Sequence, residues 1–207
     1  MYVAVAGNIG AGKSSLTRIL SERYHLEPVY EAVDENPYLE DFYRDMERYA
    51  FHSQMFFLAT RLRQHLRQVN PGQRVIQDRT VYEDAAVFAQ HLHERGVLDG
   101  RDHRSYRTMY EAISAALRPP DLLIYLRAGL PTLRRHIRQR GRGYESSIED
   151  AYLRGLDRLY EAWIEAYDLS PVVVIPADEL DFVHRPADLA TLLALVERGG
   201  LAAPMVG

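Results

Sequence analysis

Tyr2-Val3-Ala4-Val5-Ala6 is a short apolar run, and Gly7-Asn8-Ile9-Gly10-Ala11-Gly12-Lys13-Ser14 follows it without a break. The second stretch matches G-x-x-x-x-G-K-[ST] in full, a loop whose glycines let the backbone curl until several N–H groups face one anion. Its context fits. A strand pattern precedes it, and Leu16, Ile19 and Leu20 recur after it at helical spacing. A helix starting near Lys13 adds its positive end to the same point. The reading predicts that Gly7, Asn8, Ile9, Gly10, Ala11, Gly12, Lys13, Ser14 and Ser15 hold the phosphates of a nucleotide. Lys13 would bridge the β- and γ-phosphates, and the Ser14 hydroxyl would ligate Mg²⁺.

One feature of composition supports this. The 25 basic residues are 24 arginines and the single lysine Lys13. An arginine-rich codon bias accounts for the 24. The survival of one compact ammonium inside the glycine loop points to a place that a planar guanidinium does not fill.

Further along, Glu27 to Tyr30, Val75-Ile76-Gln77-Asp78, Leu122 to Leu126 and Val172 to Ile175 read as strands. Between them lie helical stretches at about 39–69 (broken near 46–49), 82–93, 102–117, 131–141 and 148–166, with a last helix at 186–198. Asn36-Pro37 reads as an N-cap with proline at the first helical position. Continuous apolar strands alternating with helices predict an α/β fold, a three-layer α/β/α sandwich around a five-stranded parallel sheet. The 207 residues suit one domain, 1–207.

Hydrophobic residues make up 47% and the net charge is −4. The balance argues against a dedicated nucleic-acid binder, which is usually basic. No apolar run approaches the roughly 18 residues of a membrane helix. The first strand leaves no room for a signal peptide, and without cysteine there are neither disulfides nor thiolate metal sites. A cytoplasmic protein is the expectation.

The phosphate loop narrows the class. Guanine-reading switches use Asn-Lys-x-Asp, and there is no second lysine to build it; motor and transport ATPases normally need a longer chain. A small phosphotransferase remains, which requires a base near the acceptor hydroxyl and cations around the moving phosphoryl group. Glu31, at the end of the second strand, can accept a hydroxyl proton or be an exposed loop acid. Asp78 and Arg79, ending the third strand, can hold Mg²⁺ and steady oxygens or form a local ion pair. Arg134, Arg135, Arg138, Arg140 and Arg142 put five arginines within nine residues. They read as a solvated helix face or, given Gly141 and Gly143, as a lid over about 134–145. His91 and His93 read as surface residues, since positions two apart on a helix point different ways.

These segments together resemble the deoxyribonucleoside kinases, the bacterial deoxyadenosine/deoxyguanosine type in particular. The resemblance runs from Tyr2 to about Trp163 through the glycine loop, Tyr30-Glu31-Ala32-Val33, Asn36 to Tyr43, Gln54 to Arg61, Asp78 to Asp84 and Arg140 to Glu145. It implies the P-loop kinase architecture, with ATP as donor, Mg²⁺ and a deoxynucleoside acceptor. Glu31 would be the base for the sugar 5′-hydroxyl, with Arg79 beside it. Tyr43 and Glu145 would bind the 3′-hydroxyl. Gln54, Arg61 and Asp84 would read the base edge, Phe88 would stack on it, and Arg140 with Arg142 would be the lid arginines. Thr80 stands where serine is usual, Tyr144 where an acid is frequent in animal relatives, and His136 where arginine is common. The resemblance favours purine acceptors, deoxyadenosine slightly over deoxyguanosine, and a homodimer built from long helices. Two alternatives stand beside it: a nucleoside monophosphate kinase of the thymidylate type, and a nucleotide-binding regulatory subunit of a heterodimer.

Overall fold

In the computed structural model, which describes residues 1–202, the opening apolar run is the centre of the molecule. Strand β1 (Tyr2–Gly7) is buried along its whole length because it has a neighbour on each side and helices on both faces. The other strands are β2 (Glu27–Val29), β3 (Val75–Asp78), β4 (Leu122–Arg127) and β5 (Val172–Pro176), in the spatial order β2-β3-β1-β4-β5. All pairings are parallel. Val5 lies opposite both Asp78 of β3 and Ile124 of β4. The five-stranded parallel α/β/α expectation is met.

Helix α1 (Lys13–Tyr24) packs on β1, β2 and β3, burying Leu16, Thr17 and Leu20. After β2 come α2 (Leu39–Arg44) and α3 (Met46–Gln64). The break between them falls at Asp45, whose extended backbone (φ −145°) ends one helix while its carboxylate accepts from Arg48 N–H at 3.2 Å to cap the next. Asn36 is not the N-cap expected of it. Its Oδ1 accepts from Tyr38 N–H at 3.0 Å, a side-chain turn that places the helix start at Leu39.

A π-helical turn (His65–Val69) extends α3. After β3, α4 (Val81–Glu83) runs into a second π-helical turn (Asp84–Ala89) and then α5 (Gln90–Glu94). Helices α6 (Gly100–Ser114), α7 (Leu130–Arg140), α8 (Asp150–Glu165) and α9 (Pro186–Arg198) complete the layers. His91 is buried rather than on the surface. Its ring lies edge-on to Tyr152 at 4.8 Å, over Gly155, where a Cβ would come within 2.1 Å of the ring. Among the described residues no helix is long and apolar enough to cross a membrane.

The consequence for function lies at the carboxyl edge of the sheet. The glycine loop leaves β1, Glu31 follows β2, Asp78 and Arg79 end β3, and residues 177–185 follow β5. In open parallel sheets this edge is where ligands sit.

Candidate active site

The elements at that edge enclose one cavity of about 890 Å³. On one side is the glycine loop. Gly12 takes φ 99°, a left-handed conformation suited to glycine, and neither a capping side chain nor a first-turn acid occupies the α1 N-terminus. Its amides and partial positive charge are therefore directed at the cavity. Gly10 is also left-handed (φ 84°), and a Cβ there would lie 2.8 Å from the Leu133 carbonyl of α7. Asn8 ties the loop to α8 by donating to Leu153 O at 2.9 Å. Gly7, Asn8 and Ala11 shape the loop from behind, whereas Ile9, Gly10, Gly12, Lys13, Ser14 and Ser15 line the cavity.

Lys13 is buried, and its ammonium donates to Asn8 O at 3.0 Å. Burial, with the nearby Arg79 charge, lowers its pKa to about 8. The Ser14 hydroxyl donates to Asp78 Oδ2 at 2.5 Å. Asp78 is buried, and its Oδ1 has no hydrogen-bond partner among the described residues. A hydroxyl and a carboxylate with an oxygen to spare, beside a phosphate cradle, are a hard-oxygen donor set suited to Mg²⁺.

On the other side lies Glu31. Its Oε1 accepts from Arg61 Nη2 at 3.1 Å and lies 3.0 Å from Arg79 Nε, an ion pair without hydrogen-bond alignment. Burial would raise the Glu31 pKa, but Arg79, Arg61 and Lys13 outweigh it and hold it at about 2. Arg61 has every nitrogen type engaged: Nε to Asp84 Oδ2, Nη1 to Arg79 O at 3.2 Å, and Nη2 to Glu31. Arg79 is left-handed (φ 68°), an unusual conformation for a side-chain-bearing residue. Phe88 lines the cavity but gives one ring face to the Arg79 guanidinium, 4.3 Å from its centroid, so only its other face or edge can meet a ligand. Gln54 and Asp84 line the cavity; Arg61 sits beneath them.

The arginine-rich segment divides. Arg134 pairs with Asp150 on α8, and Arg135, Arg140 and Arg142 line the cavity, whereas Arg138 is exposed away from it. Arg140 forks onto Glu145 (Nη2 to Oε1 2.7 Å, Nε to Oε2 3.0 Å), and Arg142 Nη1 stands 3.7 Å from the same carboxylate. Tyr43 and Glu145 both line the cavity. Tyr43 stacks on Tyr144 at 5.6 Å, which brings the segment down onto α2. His136 Nδ1 is 2.7 Å from Gly10 O, a direct tie between α7 and the glycine loop.

Sequence reasoning passed over several residues. Glu83 is fully buried and accepts from Thr80 N–H at 3.0 Å, Tyr160 O–H at 2.8 Å and Gly7 N–H at 3.4 Å. Burial raises its pKa against the lowering effect of Arg79 and Lys13. Thr80 and Glu83 form a capping box, a spacing visible in the sequence. Residues 177–185 after β5 also line the cavity, Phe182 lying close to Gly12; their one signal was the preceding strand end.

Residues 3–198 match the family model for deoxynucleoside kinases. A deoxyadenosine/deoxycytidine kinase of Bacillus subtilis (strain 168) is 36% identical over 184 residues, 88% of this chain and 85% of that protein. A deoxyguanosine kinase of Lactobacillus acidophilus is 38% identical over 201 residues, 92% of this chain and 87% of that one. A solved structure of the M. mycoides deoxyadenosine kinase with products dCMP and dCDP superposes with a TM-score of 0.85 at 31% identity, covering 96% of this chain and all of that one.

The lowered Lys13 pKa has a measurable consequence. At pH 8 about half of the lysines in the empty site are neutral, since a group at its pKa is half protonated. Phosphates restore the charge. Binding of ATP at pH 8 is expected to take up on the order of half a proton, read by calorimetry in two buffers of different ionisation enthalpy. At pH 6, where the ammonium is already charged before ATP binds, the uptake should vanish; equal uptake at pH 6 and pH 8 would refute the assignment.

Proposed function

For this chain, which belongs to the deoxynucleoside kinase family, we propose the transfer of the γ-phosphoryl group of ATP to the 5′-hydroxyl of a purine deoxynucleoside, deoxyadenosine slightly ahead of deoxyguanosine. The observation that carries the reading is that a single cavity holds both an anion cradle and a half-buried carboxylate clamped by two buried arginines. The first suits a triphosphate and the second an uncharged hydroxyl acceptor. An acceptor bearing its own phosphate would meet Glu31 with like charge, which disfavours a monophosphate kinase. Retention of Lys13, Glu31 and Arg79 in one site disfavours a purely regulatory subunit.

In this reading the 5′-hydroxyl donates a hydrogen bond to Glu31. Its oxygen bonds to the γ-phosphorus as the bond from that phosphorus to the β–γ bridging oxygen breaks, and the electron pair leaves with ADP. The proton passes to Glu31 and on to solvent. A carboxylate with a pKa of about 2 is a weak base, so it takes the proton late, once the oxygen has bonded to phosphorus and become acidic. Before that, its work is orientation. Lys13 and the loop amides hold the phosphates, and Ser14 with Asp78 would hold Mg²⁺, which neutralises charge on the phosphate oxygens when bound. Segment 134–145 acts as the lid, with Arg140 and Arg142 supplying cations to the transferred group and Glu145 with Tyr43 contacting the 3′-hydroxyl. Gln54 and Asp84 read the base edge, Arg61 supports them, and Phe88 offers an apolar surface.

Deoxycytidine is a second candidate acceptor, favoured by the names of the B. subtilis relative and by the cytidine products named for the M. mycoides structure. The enzyme is cytoplasmic and homodimeric in this reading. Leu66, on the turn that extends α3, and Met109 of α6 are exposed apolar residues on elements that pack together. Sedimentation should give about twice the 23.8 kDa chain mass, and a monomer would refute the dimer.

The acceptor is tested by supplying Mg·ATP with each deoxynucleoside and each deoxynucleoside monophosphate separately. Deoxyadenosine should give its 5′-monophosphate fastest, and Glu31→Gln should lose at least about 100-fold in kcat, the usual scale of general acid–base contributions. Turnover confined to monophosphates would overturn the reading.

A further inference from the structure

Tyr160 lies on α8, outside every motif that the sequence singles out, yet its hydroxyl is buried between the two halves of the site. It accepts from Arg79 Nη1 at 3.3 Å and donates to Glu83 Oε2 at 2.8 Å. That contact is the only hydrogen bond the Arg79 guanidinium donates among the described residues; its approach to Glu31 is ionic and misaligned, and its contact with Phe88 is a ring face. The oxygen that Tyr160 bonds on Glu83 also takes Gly7 N–H at 3.4 Å. One hydroxyl therefore connects the acceptor-side arginine to the first amide of the phosphate loop.

The surroundings make Tyr160 rigid. Its ring stacks on Tyr125 of β4 at 5.8 Å and 20°, and it meets Phe88 and Trp163 edge-on. Arg79, for its part, keeps a left-handed backbone, which persists in a residue with a side chain only where neighbours over-determine it. Arg79 N–H donates to Val5 O at 3.0 Å and Arg79 O accepts from Arg61, so the backbone is held at both ends. The guanidinium needs its own anchor, and a hydroxyl on a stacked ring supplies it.

We propose that Tyr160 is a positioning residue for phosphoryl transfer: through Glu83 it fixes the Arg79 guanidinium with respect to both Glu31 and the phosphate loop. The inference rests on the acceptor-side role given to Arg79 above. Phenylalanine at 160 keeps the ring packing and removes the anchor, so its effect falls on the transition state, where placement matters most, and not on ground-state binding.

The test is a double-mutant cycle in the full chain. Tyr160→Phe should lower kcat about tenfold, with KM for ATP and for the deoxynucleoside within twofold of wild type. In an Arg79→Lys background, where the ammonium lacks the guanidinium's reach, the same change should alter kcat less than twofold. An unchanged kcat in Tyr160→Phe, or an equal loss in both backgrounds, would overturn the proposal. Should Tyr160→Phe not fold, Glu83→Gln reads the same coupling and is held to the same criteria. A wild-type chain active only on monophosphates would sink the acceptor reading separately, and the cycle would then be run on that reaction.

Discussion

A half-buried carboxylate held between two buried guanidinium groups is the constraint from which the site follows. Glu31 comes from the end of β2, Arg61 from α3 and Arg79 from the end of β3, so their contacts draw three elements to one point. Taking Arg61 away would leave the buried Asp84 carboxylate without its cation, the kind of loss that costs about 3–5 kcal/mol. Asp84 closes the group through Arg61, and it lies on the π-helical turn that also carries Phe88. Such turns insert an extra residue and are frequent at functional sites. The same group that holds Glu31 thus also sets the cavity wall that carries Asp84 and Phe88.

The phosphate side is organised by close approach. Glycine at positions 7 and 10 lets the loop lie against β4 and α7, since a Cβ at either would come within 2.8 Å of a backbone carbonyl oxygen. His136 meets the loop at Gly10 from α7, and Asn8 fastens it to α8. The α1 N-terminus has no side-chain cap and opens onto the cavity. Glu83 and Tyr160 join this half to the other. Phosphoryl transfer depends on placing two reactants in line, and a continuous set of buried hydrogen bonds between the two half-sites is a physical means of holding that placement.

The features legible in the sequence were those fixed by local chemistry. Apolar runs marked β1, β3, β4 and β5, and the glycine loop marked the strand-to-helix turn. The final helix, expected near 186–198, spans Pro186–Arg198, with proline at its first position and Gly199 just beyond its end. Tyr30 was read into β2, but the strand stops at Val29, paired with Gln77, one residue before β3 itself ends at Asp78. The spatial order β2-β3-β1-β4-β5 was out of reach, since it is a property of long-range pairing. In the site, strand-end acids and the resemblance located Glu31 and Asp78. Seven residues, two helical turns, separate Gln54 from Arg61 and put both on one helix face, but that spacing carries no sign that the partners of Arg61 are Glu31 and Asp84 from other elements. Tyr160 and His91 gave no signal at all, because a tyrosine or histidine on an amphipathic helix reads the same whether it packs or connects. Glu83 was legible as a capping-box acid, yet its reach to Gly7 was not.

Glu31 stands in the resting site as an ionised, arginine-clamped carboxylate. Its pKa is held at about 2, below the ordinary 4.5, so its contribution to stability is complete above about pH 4.5 and is lost as pH falls toward 2. The direct test is a ¹³C NMR titration of the glutamate side-chain carboxyls, with the Glu31 resonance assigned by its absence in Glu31→Gln. This resonance should keep its ionised shift down to the onset of acid unfolding while exposed glutamates titrate near their ordinary value. A Glu31 midpoint at or above 4.5 would contradict the clamp and the acceptor chemistry built on it.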